Sequence, residues 1–306
     1  MEKKVIEKLA ELINIEPEII AHSLNNIEYT VFTIPKGKRG RRTIFAPGPI
    51  LKKVQRKLKN FLDTLESWDD IPVYGITKGT SQVAHARIHK NSKWVFQVDL
   101  KNAFESVDIL RLKQILLHRL KNKDIEFHEE ITELILRLTT YKTILPQGTP
   151  TAPILFFFAI QEVLKEIYQI FPLPQKRREK QDKYQYKISC YVDSIVISAQ
   201  KPIPLHFRKK VFEVIQRYGF KINSRKVKHQ GIRFGAVRIT GLKVTGERVT
   251  ISKKQRRKYR AIIHKATQKP EDPELKQKAL GIISFLKPIY NGKLPPNLKA
   301  SKLLEM

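Results

Sequence analysis

Residues 188–198 read ISCYVDSIVIS, and residues 95–104 read VFQVDLKNAF. Each is a short apolar run interrupted by one acid. The first predicts a β-hairpin whose turn lies near Asp193. The second predicts a strand over Trp94–Leu100 with Asp99 close to its end. A carboxylate in apolar surroundings is costly unless it meets a partner, and a metal ion is one such partner. Taken singly, each aspartate reads rather as a turn cap. Two strands lying side by side would bring Asp99 and Asp193 within reach of one pair of Mg²⁺ ions. That arrangement suits phosphoryl transfer, with one ion activating a primer hydroxyl and the other holding a triphosphate.

Charge points the same way. The 306 residues carry 59 Lys+Arg against 29 Asp+Glu, a formal charge of +30, and nucleic acid is the default partner of such a field. An anionic membrane surface is the rival, but the basic residues are spread along the chain rather than gathered in one amphipathic helix. No run reaches the roughly 18 apolar residues of a membrane span. The N-terminus, MEKKVIEKLAELI, is charged throughout and does not read as a signal peptide, so a cytoplasmic protein is expected. The single cysteine, Cys190, leaves no intramolecular disulfide and no cysteine-rich zinc site.

Outward from the two acidic strands, residues 1–32 predict a small helical element, split near Pro17. TIPKGKRGRRTIFAP (33–47) predicts a hairpin with a Gly- and Lys-rich tip, and an amphipathic helix follows from Leu51 to about Leu65. Residues 71–90 read as irregular. Helices are expected after Asp108, which would cap the first of them, over about 126–140, and from Thr151 after the loop LPQGTP. Residues 172–187 read as a basic connector. The stretch 252–306 holds 14 Lys+Arg against 4 Asp+Glu and reads as a separate helical unit, with helices near 253–268 and 274–289. His85 and His89, one helical turn apart, have the spacing of a metal pair but no third ligand in sight.

Six motifs in order then resemble the reverse transcriptase family, specifically its retron and related bacterial defence enzymes. They are IPKGKRGRRTIFAP, VDLKNAFESVD, LPQGTPTAP, YVDS, GFKINSRKVK and ITGLKVT, and the likeness runs from about Ile34 to Phe285. The resemblance implies an α+β right-hand polymerase: fingers and palm over 33–245, with an antiparallel palm sheet, and a helical thumb over 246–306. It implies that Asp99 and Asp193 bridge Mg²⁺ (or Mn²⁺), with the Leu100 carbonyl as a further ligand. Arg42, with Lys38 and its neighbours Lys36 and Arg41, would grip the triphosphate. Phe104 would be the steric gate that favours dNTPs. Gln147 would touch the nucleotide sugar, and Gly148 would permit close backbone approach. Lys226 would be a proton donor to pyrophosphate. Arg256, Arg257 and Arg260 would contact duplex phosphates, with Tyr259 and His264 nearby. The implied partners are a structured non-coding RNA that serves as template and primer, its DNA product, dNTPs, an effector protein of phage defence, and a second copy of the chain.

The sequence departs from the family at three places. Ser194 stands where a second aspartate is usual. His85-Ala86-Arg87-Ile88-His89 has a histidine where the retron pattern NAxxH has asparagine. Ile239 alters the VTG segment. A serine hydroxyl is a far weaker Mg²⁺ ligand than a carboxylate. Ser194 leaves open an enzyme working with two carboxylates, a weakened or silent RNA-binding relative, or a substitution introduced to trap a complex. Template-independent or protein-primed synthesis, as in neighbouring defence lineages, also stays open.

Overall fold

The computed structural model describes residues 2–35, 40–65, 73–171, 186–232, 236–295 and 298. The chain opens with helices α1 (Glu2–Ile13) and α2 (Pro17–Asn25), followed by strands β1 (Tyr29–Pro35) and β2 (Arg41–Pro47) and helix α3 (Pro49–Thr64). Then come β3 (Val73–Tyr74), α4 (Gln82–Ile88), β4 (Trp94–Lys101), α5 (Ile109–Lys121), α6 (His128–Thr139) and α7 (Ala152–Ile170). The hairpin β5 (Lys187–Tyr191) and β6 (Ser194–Ala199) leads to α8 (Leu205–Arg217), β7 (Lys221–Ile222), a 3₁₀ turn (Ser224–Lys226) and β8 (Lys228–Gly231). The chain ends with β9 (Val237–Ile239), β10 (Leu242–Thr245), β11 (Arg248–Thr250), α9 (Lys253–Gln268) and α10 (Pro273–Ile289).

The central sheet has the order β3-β5-β6-β4-β7, with β8 also paired to β4. Its pairs are antiparallel except β3–β5, which is parallel. Helix α7 lies beneath it. Every side chain from Ile154 to Ile160 is buried, as an all-round apolar helix requires. Pro153 sits in its first turn, where a missing N–H costs nothing. Among the described residues, no helix is long and apolar enough to cross a membrane. Asp108 caps α5, its carboxylate accepting from the Leu110 and Arg111 amides.

A second core sits on the other face of the sheet. Strands β9–β11 and helices α9 and α10 pack there on Val95, Val196 and two residues of α4, Val83 and Ala86. Helix α9 starts with a capping box between Ser252 and Gln255.

Three sequence expectations need correcting. The N-terminal helices end at Asn25, and the first strand begins at Tyr29 rather than Thr33, because Tyr29 to Thr33 pair with Pro47 to Thr43. The stretch read as irregular over 71–90 is only partly so, since residues 75–81 and 89–90 are turn and loop but two segments are regular. They form β3 and α4, the latter capped by the Ser81 hydroxyl accepting from the Ala84 amide. The sheet, expected to be antiparallel, carries one parallel edge pair.

Candidate active site

Strand register sets the centre of the site. Asp99 on β4 lies directly opposite Ser194 on β6. The Leu100 amide donates to the Asp193 carbonyl at 2.9 Å, so β4 runs alongside the turn that carries Asp193. Asp99 therefore stands on the strand next to the β5–β6 turn that carries Asp193, in a sheet whose neighbouring strands lie about 4.8 Å apart. Their charges converge on one buried atom: the Cys190 thiol is pushed well up by burial, then by Asp193 and by Asp99. On the far side of β4, Leu100 is buried opposite Ile222. The Asn223 amide donates to the Asp99 carbonyl at 2.8 Å and begins the turn that brings in Lys226. Lys226 Nζ sits 2.6 Å from Asp99 Oδ2.

The turn itself is tight. Val192 has φ of 51°, in the left-handed region that β-branched residues avoid. Its amide donates to the Tyr74 carbonyl at 3.0 Å, which ties the turn to β3.

Asp193 opens onto a cleft of about 140 Å³ that it lines with Arg41, Arg42, Thr43, Asn102, Ala103, Phe104, Glu105 and Gln147. The Phe104 ring leans on Phe156 of α7, centroids 4.8 Å apart, so its position is fixed by the core. Strand β2 is held over the cleft by the Phe45 amide, which donates to the Gln147 carbonyl at 2.9 Å. Gly148 has φ of 110°, and a Cβ there would meet Ile44 Cγ2 at 2.7 Å. Only glycine fits that approach. Arg42, Phe104, Gln147 and Asp193 thus line one cleft, with Asp99 one strand away. Lys36 and Lys38 lie outside the described residues, as does the connector 172–185.

The three C-terminal arginines are not placed alike. Arg257 and Arg260 are exposed on α9. Arg256 is half-buried, lines a separate cleft with Arg87, Lys90, Arg248 and Tyr290, and has a buried Nε without a partner among the described residues. Asn102 and Glu105 were not anticipated in the cleft. Their signal was nearness to Asp99 in the chain.

The donor set around Asp99 and Asp193 is all oxygen, with the Ser194 residue beside it. That suits a hard divalent cation such as Mg²⁺ rather than zinc. Among the described residues, no group of three His, Cys, Asp or Glu gathers to hold a metal. Two carboxylates match the way Mg²⁺ is bound where substrate phosphates and water complete its shell. His85 and His89 are both buried, 0 % exposed, and face serine hydroxyls.

Burial pushes both imidazoles from their ordinary 6.5 down to about 3. The folded chain thus holds them neutral where the unfolded chain protonates them. Stability should be full above about pH 6.5 and fall as pH drops from there towards 3. At about pH 5 the loss is roughly 2 kcal/mol for each imidazole. Urea unfolding at neutral pH and at about pH 5 checks this, and His85→Gln should shrink the difference.

A reverse transcriptase family model, described as RNA-dependent DNA polymerase, matches residues 34–259. The chain belongs to the reverse transcriptase family. Its mixed helices and sheets form an α+β polymerase fold, with Asp99 on β4 and Asp193 in the β5–β6 turn of the central sheet. The chain is 25% identical over 277 residues to the retron Mx65 reverse transcriptase of Myxococcus xanthus, covering 85% of this chain and 61% of that protein. It is 27% identical over 224 residues to the retron Mx162 enzyme of the same organism, covering 65% and 44%. It is 26% identical over 212 residues to the retron Ec86 reverse transcriptase of Escherichia coli, covering 68% and 61%. The likeness is thus to retron-type enzymes, and the chain spans about half to three fifths of their length.

Proposed function

We propose that this chain is an active RNA-directed DNA polymerase of the retron type, copying a structured non-coding RNA into DNA from dNTPs. The observation that carries the reading is the pairing of Asp99 with Ser194, next to Asp193, which lines one cleft with Arg42, Phe104 and Gln147. Mg²⁺ (or Mn²⁺) held by Asp99 and Asp193 would neutralise the charge that builds on the triphosphate and on the attacking hydroxyl. Residues 33–245 serve as fingers and palm, and 246–306 as thumb.

The side chains then have these roles. Arg42 and Arg41, with Lys38, bind the triphosphate, and the planar guanidinium fork suits its oxygens. Phe104, braced by Phe156, fills the space a ribose 2′-hydroxyl would need. Gln147 orients the sugar. Lys226 holds a proton beside Asp99 and can pass it to the leaving pyrophosphate. Arg257 and Arg260 grip duplex phosphates, so binding weakens steeply with salt. The RNA serves as both template and primer, in the cytoplasm, and an effector protein and self-association complete a defence system.

Primer extension on RNA with Mg²⁺ tests this. The chain as it stands should extend the primer, and Ser194→Asp should raise the rate about tenfold by adding a carboxylate. Phe104→Ala should leave dNTP use within a fewfold and raise rNTP use about a hundredfold, the scale of losing one steric contact in a pocket. Absence of extension by every form would favour the silent RNA-binding relative. A wild-type chain that already uses rNTPs would remove Phe104 from the role of gate.

A further inference from the structure

Behind the turn Tyr191-Val192-Asp193-Ser194 runs a buried chain of hydroxyls and imidazoles. Ser92 Oγ meets Ser198 Oγ at 2.9 Å, and Ser198 Oγ meets His89 Nδ1 at 2.8 Å. His89 Nε2 meets Ser189 Oγ at 2.7 Å, and the same oxygen meets His85 Nε2 at 2.8 Å. His85 Nδ1 ends the chain at Thr240 Oγ1, 3.4 Å away in the turn between β9 and β10. A serine hydroxyl donates one proton, so at least one of the two imidazoles must present Nε2–H to Ser189. The chain is thus ordered, and it spans α4, β5, β6 and the C-terminal sheet.

Its position links it to the site. Ser189 is two residues before Tyr191 on the same face of β5. The His85 ring lies 5.5 Å from the Tyr191 ring and 5.2 Å from the Tyr74 ring. Gly75 leaves room for Tyr191, since a Cβ there would meet Tyr191 Cζ at 2.9 Å. Tyr191, one step before the strained Val192, therefore packs against both His85 and Gly75. Left-handed backbone at such a residue costs on the order of 1–3 kcal/mol and persists only where its surroundings over-determine it.

We propose that His85 and His89, joined through Ser189, are positioning residues that hold the catalytic turn in register against α4 and the Thr240 turn. They do not touch the substrate. The effect on rate rests on the reading of Asp193 as a metal-bearing carboxylate, while the effect on the turn does not. Gln82, which donates to the Thr240 carbonyl, fixes the far end of the same device. Movement of the C-terminal sheet is thereby felt at Asp193.

The test compares His85→Gln, which keeps a polar atom near the Nε2 position, with His85→Leu, which does not. Two readouts are taken on the full chain. The first is hydrogen exchange of the Val192 and Leu100 amides, which bond to Tyr74 and Asp193. The second is kcat and KM for dNTP in primer extension. His85→Leu should speed exchange at the turn about tenfold or more, and lower kcat by ten- to a hundredfold with KM within twofold, the scale of a misplacement on the order of 1 Å. His85→Gln should restore both. Unchanged exchange at the turn in His85→Leu, or equal losses in the two variants, overturns the proposal. If His85→Leu does not fold, Thr240→Val, which loses only the hydroxyl, is judged by the same two results. If the wild-type chain extends no primer, the polymerase reading fails and the exchange result alone decides the positioning role.

Discussion

Asp99→Asn should cut dNTP incorporation by about a thousandfold or more, roughly 4 kcal/mol of transition-state stabilisation. The fold should survive it. Asp99 is partly exposed, and an amide can keep a polar contact with Lys226, now at 2.6 Å from the carboxylate. Because Lys226 is half-exposed, its ion pair with Asp99 is worth little to stability. Loss of activity without loss of melting temperature is therefore the expected pattern, and Asp193→Asn should reproduce it. Combining the two should not multiply the loss, since residues that act as one unit are strongly non-additive. Single-nucleotide incorporation measured beside thermal melting checks both statements. A loss under tenfold for either variant would mean that the carboxylates are not the chemical centre.

Gly148→Ala should destabilise the chain by about 3 kcal/mol, from a strained backbone and an overpacked contact together. The new methyl would stand 2.7 Å from Ile44 Cγ2 at a φ of 110°, and the Phe45 carbonyl, 3.4 Å away, gives it little room. Something must move, and the movable part is strand β2. That strand carries Arg41 and Arg42 and is tied to the LPQG loop by the bond between the Phe45 amide and the Gln147 carbonyl. The expected kinetic signature is a raised KM for dNTP, about tenfold, with a smaller fall in kcat. Denaturant unfolding and steady-state incorporation measure the two parts. A variant as stable and as tight for dNTP as the parent would show that the β2–loop contact is dispensable.

Much of this was legible in the sequence, for identifiable reasons. The turn at Val192–Asp193 announces itself because a polar residue interrupts an apolar alternation. Helix α7 does so because its apolar residues cover every face. Asp108 was readable as a cap from its place just before an apolar-periodic run, and its carboxylate does accept from two backbone amides. What escaped was short or non-local. Strand β3 has two residues, and its parallel pairing with β5 joins segments more than 100 positions apart. Helix α4 has seven residues with His and Arg among them, so it shows no apolar stripe, and only Ser81 signalled its start. The partners of His85 and His89 could not be read from spacing, because Ser189, Ser198 and Thr240 look like ordinary strand and turn residues until the sheet assembles. Arg256, Arg257 and Arg260 looked equivalent on a basic helix, yet packing of α10 and β11 turns Arg256 into a cleft of its own.

The central claim is that Asp99 and Asp193 share metal, and anomalous diffraction from Mn²⁺-soaked crystals holding a primer–template duplex and a non-hydrolysable dNTP tests it most directly. Manganese should appear bound by carboxylate oxygens of both residues, at roughly the 2.0–2.6 Å of hard-cation ligation. Carboxyl groups too far apart for a common ion, or manganese bound elsewhere with the duplex in place, would contradict the account.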